Sequence, residues 1–137
     1  MGNFDIKLLS EDSLAVIRLT LLYTGDDWIF VDDCIIKTKK HRYTFSVDRD
    51  TDYSDGKIYE LFTLVITDEN KSLLEDLIEN HGMAEYRLSG DRKVDGSFLI
   101  SKDGLKAIYD DYTEAGGFDQ DFTGVSEAFP CEIKDLE

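Results

Sequence analysis

The chain predicts an α+β fold: a mostly antiparallel β-sheet or β-sandwich of six to seven strands, with two helices in the second half. Three observations carry that expectation. Short runs rich in β-branched and aromatic residues fill the first half, separated by Gly, Asp and Ser. The apolar spacing then becomes helical at Leu73, Leu74, Leu77 and Ile78, and again at Leu105, Ile108, Tyr109 and Tyr112. The early links are also short, which suits hairpins and antiparallel pairing.

Taken in order, residues 4–9 alternate weakly and predict a first edge strand, followed by a polar turn over 10–13. Residues 14–23 alternate more strongly, with Ala15, Ile17, Leu19, Leu21 and Tyr23 on one face. Turn chemistry at 24–27 (Gly25, Asp26, Asp27) predicts a hairpin into a strand that starts at Trp28. That strand, 28–37, organises the rest. Trp28, Phe30, Cys34 and Ile36 fall on one face and Ile29, Val31 and Ile35 on the other, the pattern of a central strand covered on both sides.

A basic turn over 37–42 leads to residues 43–47, which alternate and should pair back on the Trp28 strand. Residues 48–56 read as an acidic loop, and 58–66 as a strand apolar on both faces. The first helix follows, with Thr67 or Asp68 as its expected cap and His81-Gly82 as its stop. Residues 83–88 and 95–100 predict the last two strands across a turn at 89–92, and Ser101 is placed to cap the second helix. The domain organisation expected is one β-rich domain over 1–116 and an acidic arm or tail over 117–137.

Within this run, Tyr-Thr-Gly-Asp-Asp-Trp-Ile-Phe-Val-Asp, then Arg-Tyr-Thr-Phe and later Tyr-Arg-Leu-Ser-Gly-Asp-Arg, resemble a group of uncharacterised bacterial β-rich domains. In that group a similar Trp-centred hairpin precedes a strand, a helix and an Arg-x-x-Gly stretch. The likeness covers about residues 23–112 and nothing after Gly116. It rests on packing and turn residues, so it implies the fold alone and carries no catalytic residue over.

Composition bounds the function. The 137 residues hold 30 Asp and Glu against 15 Lys and Arg, a net charge of −15. Such a balance speaks against direct binding to nucleic acid or an anionic membrane and favours a basic protein partner, or simply solubility. No apolar run reaches spanning length, and the first residues lack the pattern of a secretory signal, so the expected location is cytoplasmic. Gly2 lacks the Ser or Thr that would follow it in a myristoylation signal. Two cysteines make no disulfide scaffold; Cys34 reads as a small buried hydrophobe, with a Cys34–Cys131 bridge as the lesser alternative.

The motifs for chemistry are weak. Asp48, Asp50 and Asp52 have the alternate spacing that hard cations use, but a calcium loop starting at Asp48 would need Gly where Tyr53 stands and Glu where Tyr59 stands. Asp32 and Asp33 point to opposite faces of a strand and cannot share a site, and Asp26 and Asp27 are turn residues. His41 and His81 have no ligand-spaced partner, and there is no phosphate loop, nucleophile elbow or zinc-helix motif. No cofactor, metal or catalytic residue is therefore expected.

Distributed charge remains. Acids at 26–27, 48–55, 110–111 and in the tail could mimic the phosphates of DNA and occupy a Lys- and Arg-lined groove. The leading expectation is a non-enzymatic acidic interaction protein of the phage anti-defence, anti-CRISPR or toxin-immunity kind. Its expected contacts are Asp48, Asp50, Asp52, Tyr53 and Asp55, with Asp119, Asp121 and Phe122. The alternative is a β-sandwich accessory or small-ligand-binding module with a concave apolar site near Trp28.

Overall fold

A computed structural model describes residues 3–10 (as backbone), 17–119 and 131–136. The fold is α+β, with two antiparallel sheets and two helices over one hydrophobic core. The first sheet has the order β1-β2-β6-β5, from β1 (Asn3–Ser10), β2 (Ile17–Gly25), β6 (Lys57–Ile66) and β5 (Asp50–Ser54). The second has the order β8-β7-β3-β4-β9, from β8 (Lys93–Leu99), β7 (Met83–Ser89), β3 (Asp33–Lys37), β4 (His41–Ser46) and β9 (Cys131–Asp135). Helix α1 (Ser72–Glu79) and helix α2 (Lys102–Glu114) pack on one another, and α1 also contacts β4. Among the described residues, no helix is long and apolar enough to cross a membrane.

Period-2 patterning explains the strands. In β2, Ile17, Leu19, Leu21 and Tyr23 are buried and the intervening side chains are not. Strand β6 follows the same rule at Ile58, Phe62, Leu64 and Ile66. Strand β3 lies at the centre of its sheet, paired with β4 on one side and β7 on the other. Helix α1 buries Leu73, Leu74 and Leu77, and α2 buries Leu105 and Tyr112. Ser101 Oγ accepts the Gly104 amide at 3.3 Å, as its place before α2 predicts.

Four local expectations need correction. The hairpin across 24–27 does not form, because β2 pairs with β1 and β6 while β3 lies in the other sheet. Residues 28–32 are a crossover rather than a strand: Phe30 has φ +52°, which an extended chain cannot hold. The burial phase consequently slips, so Ile29 and Val31 are buried together with Cys34 and Ile36 while Trp28 and Phe30 stay partly exposed.

Residues 50–54 are not loop but edge strand β5, returning into β6 through Asp55-Gly56. Both turn residues have positive φ, +53° and +77°, the signature of the tight hairpin turn that Asp-Gly favours. Neither Thr67 nor Asp68 caps α1; Lys71 stands at the N-cap with no side-chain bond. Thr67 and Asn70 instead shape the preceding turn, the Thr67 amide donating to Asn70 Oδ1 at 2.7 Å. Within the expected arm, residues 131–135 pack as strand β9, hydrogen-bonded along β4 from His41↔Asp135 to Phe45↔Cys131. With β5 and β9 the sheets hold more strands than the six or seven expected. Both cysteines are free.

Candidate interaction surface

Among the described residues strand β5 has one neighbour, β6, and no strand pairs with its other edge. All five of its residues are exposed. Asp50 and Asp52 project to one side, opposite Leu61 and Tyr59, and Tyr53 projects to the other at 65% exposure. Asp48 and Asp55, also exposed, flank the strand. The structure thus gathers Asp48, Asp50, Asp52, Tyr53 and Asp55 on one hairpin. Asp119 does not join them: it is exposed in a short 3-10 turn, Gly117–Asp119, that packs on α2 through buried Phe118. Asp121 and Phe122 lie outside the described residues.

What the acids border was not legible in the chain. Arg49, one residue before β5, donates to the Val31 carbonyl at 3.2 Å and to Asp32 Oδ1 at 3.1 Å. Its guanidinium sits 5.2 Å from the centroid of the Phe30 ring, and that ring stacks on Trp28 at 5.2 Å and 13°. The site near Trp28 is therefore a layered Trp28–Phe30–Arg49 stack beside the acidic edge.

The stack is held from beneath by Glu60, which is fully buried on β6. Its carboxylate accepts the amides of Ile29 at 2.7 Å, Phe30 at 3.1 Å and Val31 at 2.9 Å. These are donors that a hairpin partner would otherwise satisfy. From the other side, Arg92 donates to the Asp27 carbonyl at 3.1 Å and to the Tyr23 hydroxyl at 2.7 Å. The crossover is thereby pinned, left-handed Phe30 included. A lone Glu within the apolar run 58–66 is the signal that could have marked it.

A second polar cluster joins α1 to the β3–β4 hairpin. Asp76 Oδ2 accepts from Thr38 Oγ1 at 2.9 Å and the Tyr43 hydroxyl at 2.8 Å, and lies 2.6 Å from His41 Nδ1. His41, without a partner in the sequence pattern, thus has one in the fold, and its Nε2 lies 3.3 Å from Asp135 Oδ1. The arrangement superficially suits acid–base work. However, Ser72 Oγ meets the Tyr43 hydroxyl at 2.8 Å rather than the imidazole, and a carboxylate occupies the free ring nitrogen. The cluster acts as a staple: it satisfies a buried carboxylate and fixes α1 on β4. Burial, followed by the bond to Asp76, pushes the Tyr43 hydroxyl up from its ordinary range.

Among the described residues, no group of three or more His, Cys, Asp or Glu side chains is arranged to hold a metal ion. The Cys34 thiol is buried, and desolvation raises it well above the ordinary thiol value. That is the opposite of what a nucleophile requires. No protein-family model, no curated protein and no solved structure matches the chain.

Proposed function

We propose that this chain is a non-enzymatic acidic interaction protein that binds and blocks a basic protein, one whose own groove takes nucleic acid. Phage anti-defence, anti-CRISPR and toxin-immunity proteins work in this way. One observation carries the reading: a strand edge that is unpaired among the described residues and exposed along its length bears Asp50, Asp52 and Tyr53, with the Trp28–Phe30–Arg49 stack next to it. Such an edge can extend a partner's sheet through main-chain bonds. Its carboxylates complement Lys and Arg, while Trp, Tyr and Arg are the side chains in which interface energy concentrates. The net charge of −15 would hasten encounter and make it salt-sensitive.

The test is affinity capture of partners on the tagged full chain at low and at high salt, with mass spectrometry of the eluate. A basic, nucleic-acid-binding protein that elutes as salt rises is expected. Substituting Asp48, Asp50, Asp52 and Asp55 by Asn, with Tyr53→Ala, should weaken its binding by at least about tenfold. Neutralising exposed Asp111 and Glu114 on α2 should leave it within about twofold. Equal loss from both sets would mean that only bulk charge matters, and no loss from the first set would remove β5 from the interface.

A further inference from the structure

The outward face of the five-stranded sheet carries a charge pattern unlike the rest of the molecule. Lys37 on β3 lies directly opposite Arg42 on β4, which lies directly opposite Lys134 on β9. Three cations therefore stand side by side across three strands of a chain whose net charge is −15. All three are exposed. Lys134 has Glu132 at 3.5 Å, whereas Lys37 and Arg42 make no ion pair among the described residues. Like charges directly opposite on neighbouring strands destabilise a sheet, so folding alone gives no reason for this row.

The row borders a groove of about 700 Å³ whose lining includes Ile35, Lys37, Arg42, Glu85, Arg87 and Leu136. That volume falls in the range of small-molecule sites. Within the groove the charges are unequally engaged. Arg87 is committed to Asp95 through two bonds, of 2.5 and 2.9 Å, so that pair is self-neutralised. Glu85 lies opposite Lys37 in register but forms no ion pair with it. Arg42 is left with its planar fork free beside Lys37, a geometry suited to two-point contact with a carboxylate or phosphate. Ile35 is the apolar member of the adjacent row, between Thr44 and Arg87.

We infer that this groove is a binding site for a small organic anion, its carboxylate or phosphate held between Lys37 and Arg42 and its apolar body lying along Ile35. The bound oxyanion relieves the repulsion between the two cations. The site lies on a different sheet from β5, so it stands or falls independently of the interaction surface.

Amide NMR of the full chain tests this, with phenyl phosphate and benzoate as probes and benzyl alcohol as the neutral control. Saturable shifts at Ile35, Lys37, Thr44 and Arg87 with either anion, and none with the alcohol, are expected. In the Lys37→Gln/Arg42→Gln variant, affinity should fall by at least about tenfold. Because a like-charge contact is removed, that variant should melt no lower than the wild type. The Asn-substituted β5 variant should bind the anion as the wild type does. Absence of saturable shifts, undiminished binding by the double variant, or a clear drop in its melting temperature would each overturn the inference.

Discussion

Glu60 shows how one residue can decide a connection. Its place in β6 puts it on the same face as Ile58, Phe62 and Leu64, where an ionisable side chain is costly unless fully bonded. Here it is bonded, to three consecutive amides of the crossover. Those bonds let residues 29–31 leave the sheet without burying unpaired donors, and let Phe30 keep its left-handed conformation. Glu60→Gln keeps the shape but turns an amide NH₂ toward one of those donors. A loss of about 2–4 kcal/mol in urea denaturation is expected, more than a surface substitution gives. A loss below about 1 kcal/mol would show that the carboxylate is not what holds the crossover.

At the scale of elements, the end of α1 is the sharpest junction. Gly82 has φ +83°, donates its amide to the Leu77 carbonyl at 2.7 Å and accepts the Ile100 amide at 2.9 Å. A Cβ there would overlap the Ile100 carbonyl oxygen. Gly82→Ala should therefore cost about 2 kcal/mol or more, whereas His81→Gly, relieving φ +59° at the preceding residue, should be neutral or stabilising. Thermal melts of the two variants should move in different directions or by very different amounts. This stop was legible because Gly after a helical stripe has one common use. So were β6, β7 and the Ser101 cap, where pattern and end signals agree. The segment from Trp28 misled because its alternation runs on through a phase slip that only Glu60, thirty residues away, makes possible. Strand β5 lacks an apolar face, so its pairing was signalled only by Asp55-Gly56. In β9, half-buried Cys131 and Ile133 alternate with exposed Glu132 and Lys134, a faint pattern among the tail acids. Of the candidate surface, the acids and the shared face of Trp28 and Phe30 could be read directly; the place of Arg49 on that stack could not, since tertiary contact alone brings it there.

Over the whole molecule, the distribution of protons sets a limit on stability at high pH. At neutral pH the chain folds against a formal net charge of −15. Four buried or half-buried weak acids, by contrast, stay neutral. Desolvation raises Cys34 far above its ordinary 9.0. It pushes Cys131 up to about 12, with Glu69 adding to the effect and the Asn70 bond opposing it. Burial and then the bond to Glu75 push Tyr109 up to about 12, and Tyr43 moves the same way. In each case the native state holds a proton that the unfolded chain releases. Below pH 9 both states are protonated at the thiols and their contribution is fully present. Above it the unfolded state binds fewer protons, so stability falls as pH rises, and continues to fall until the native groups titrate. Cys34 alone contributes a slope of about 1.4 kcal/mol per pH unit in that window. The melting temperature should accordingly hold level from pH 7 to about 9 and fall steeply beyond it. Replacing the fully buried thiol by Cys34→Ala should lower the level part through lost packing yet reduce the alkaline slope, because one of the groups that unfolding would ionise is gone. An unchanged slope in that variant would transfer the alkaline sensitivity from the Cys34 thiol to Cys131, Tyr43 and Tyr109 or to growing charge repulsion across the surface.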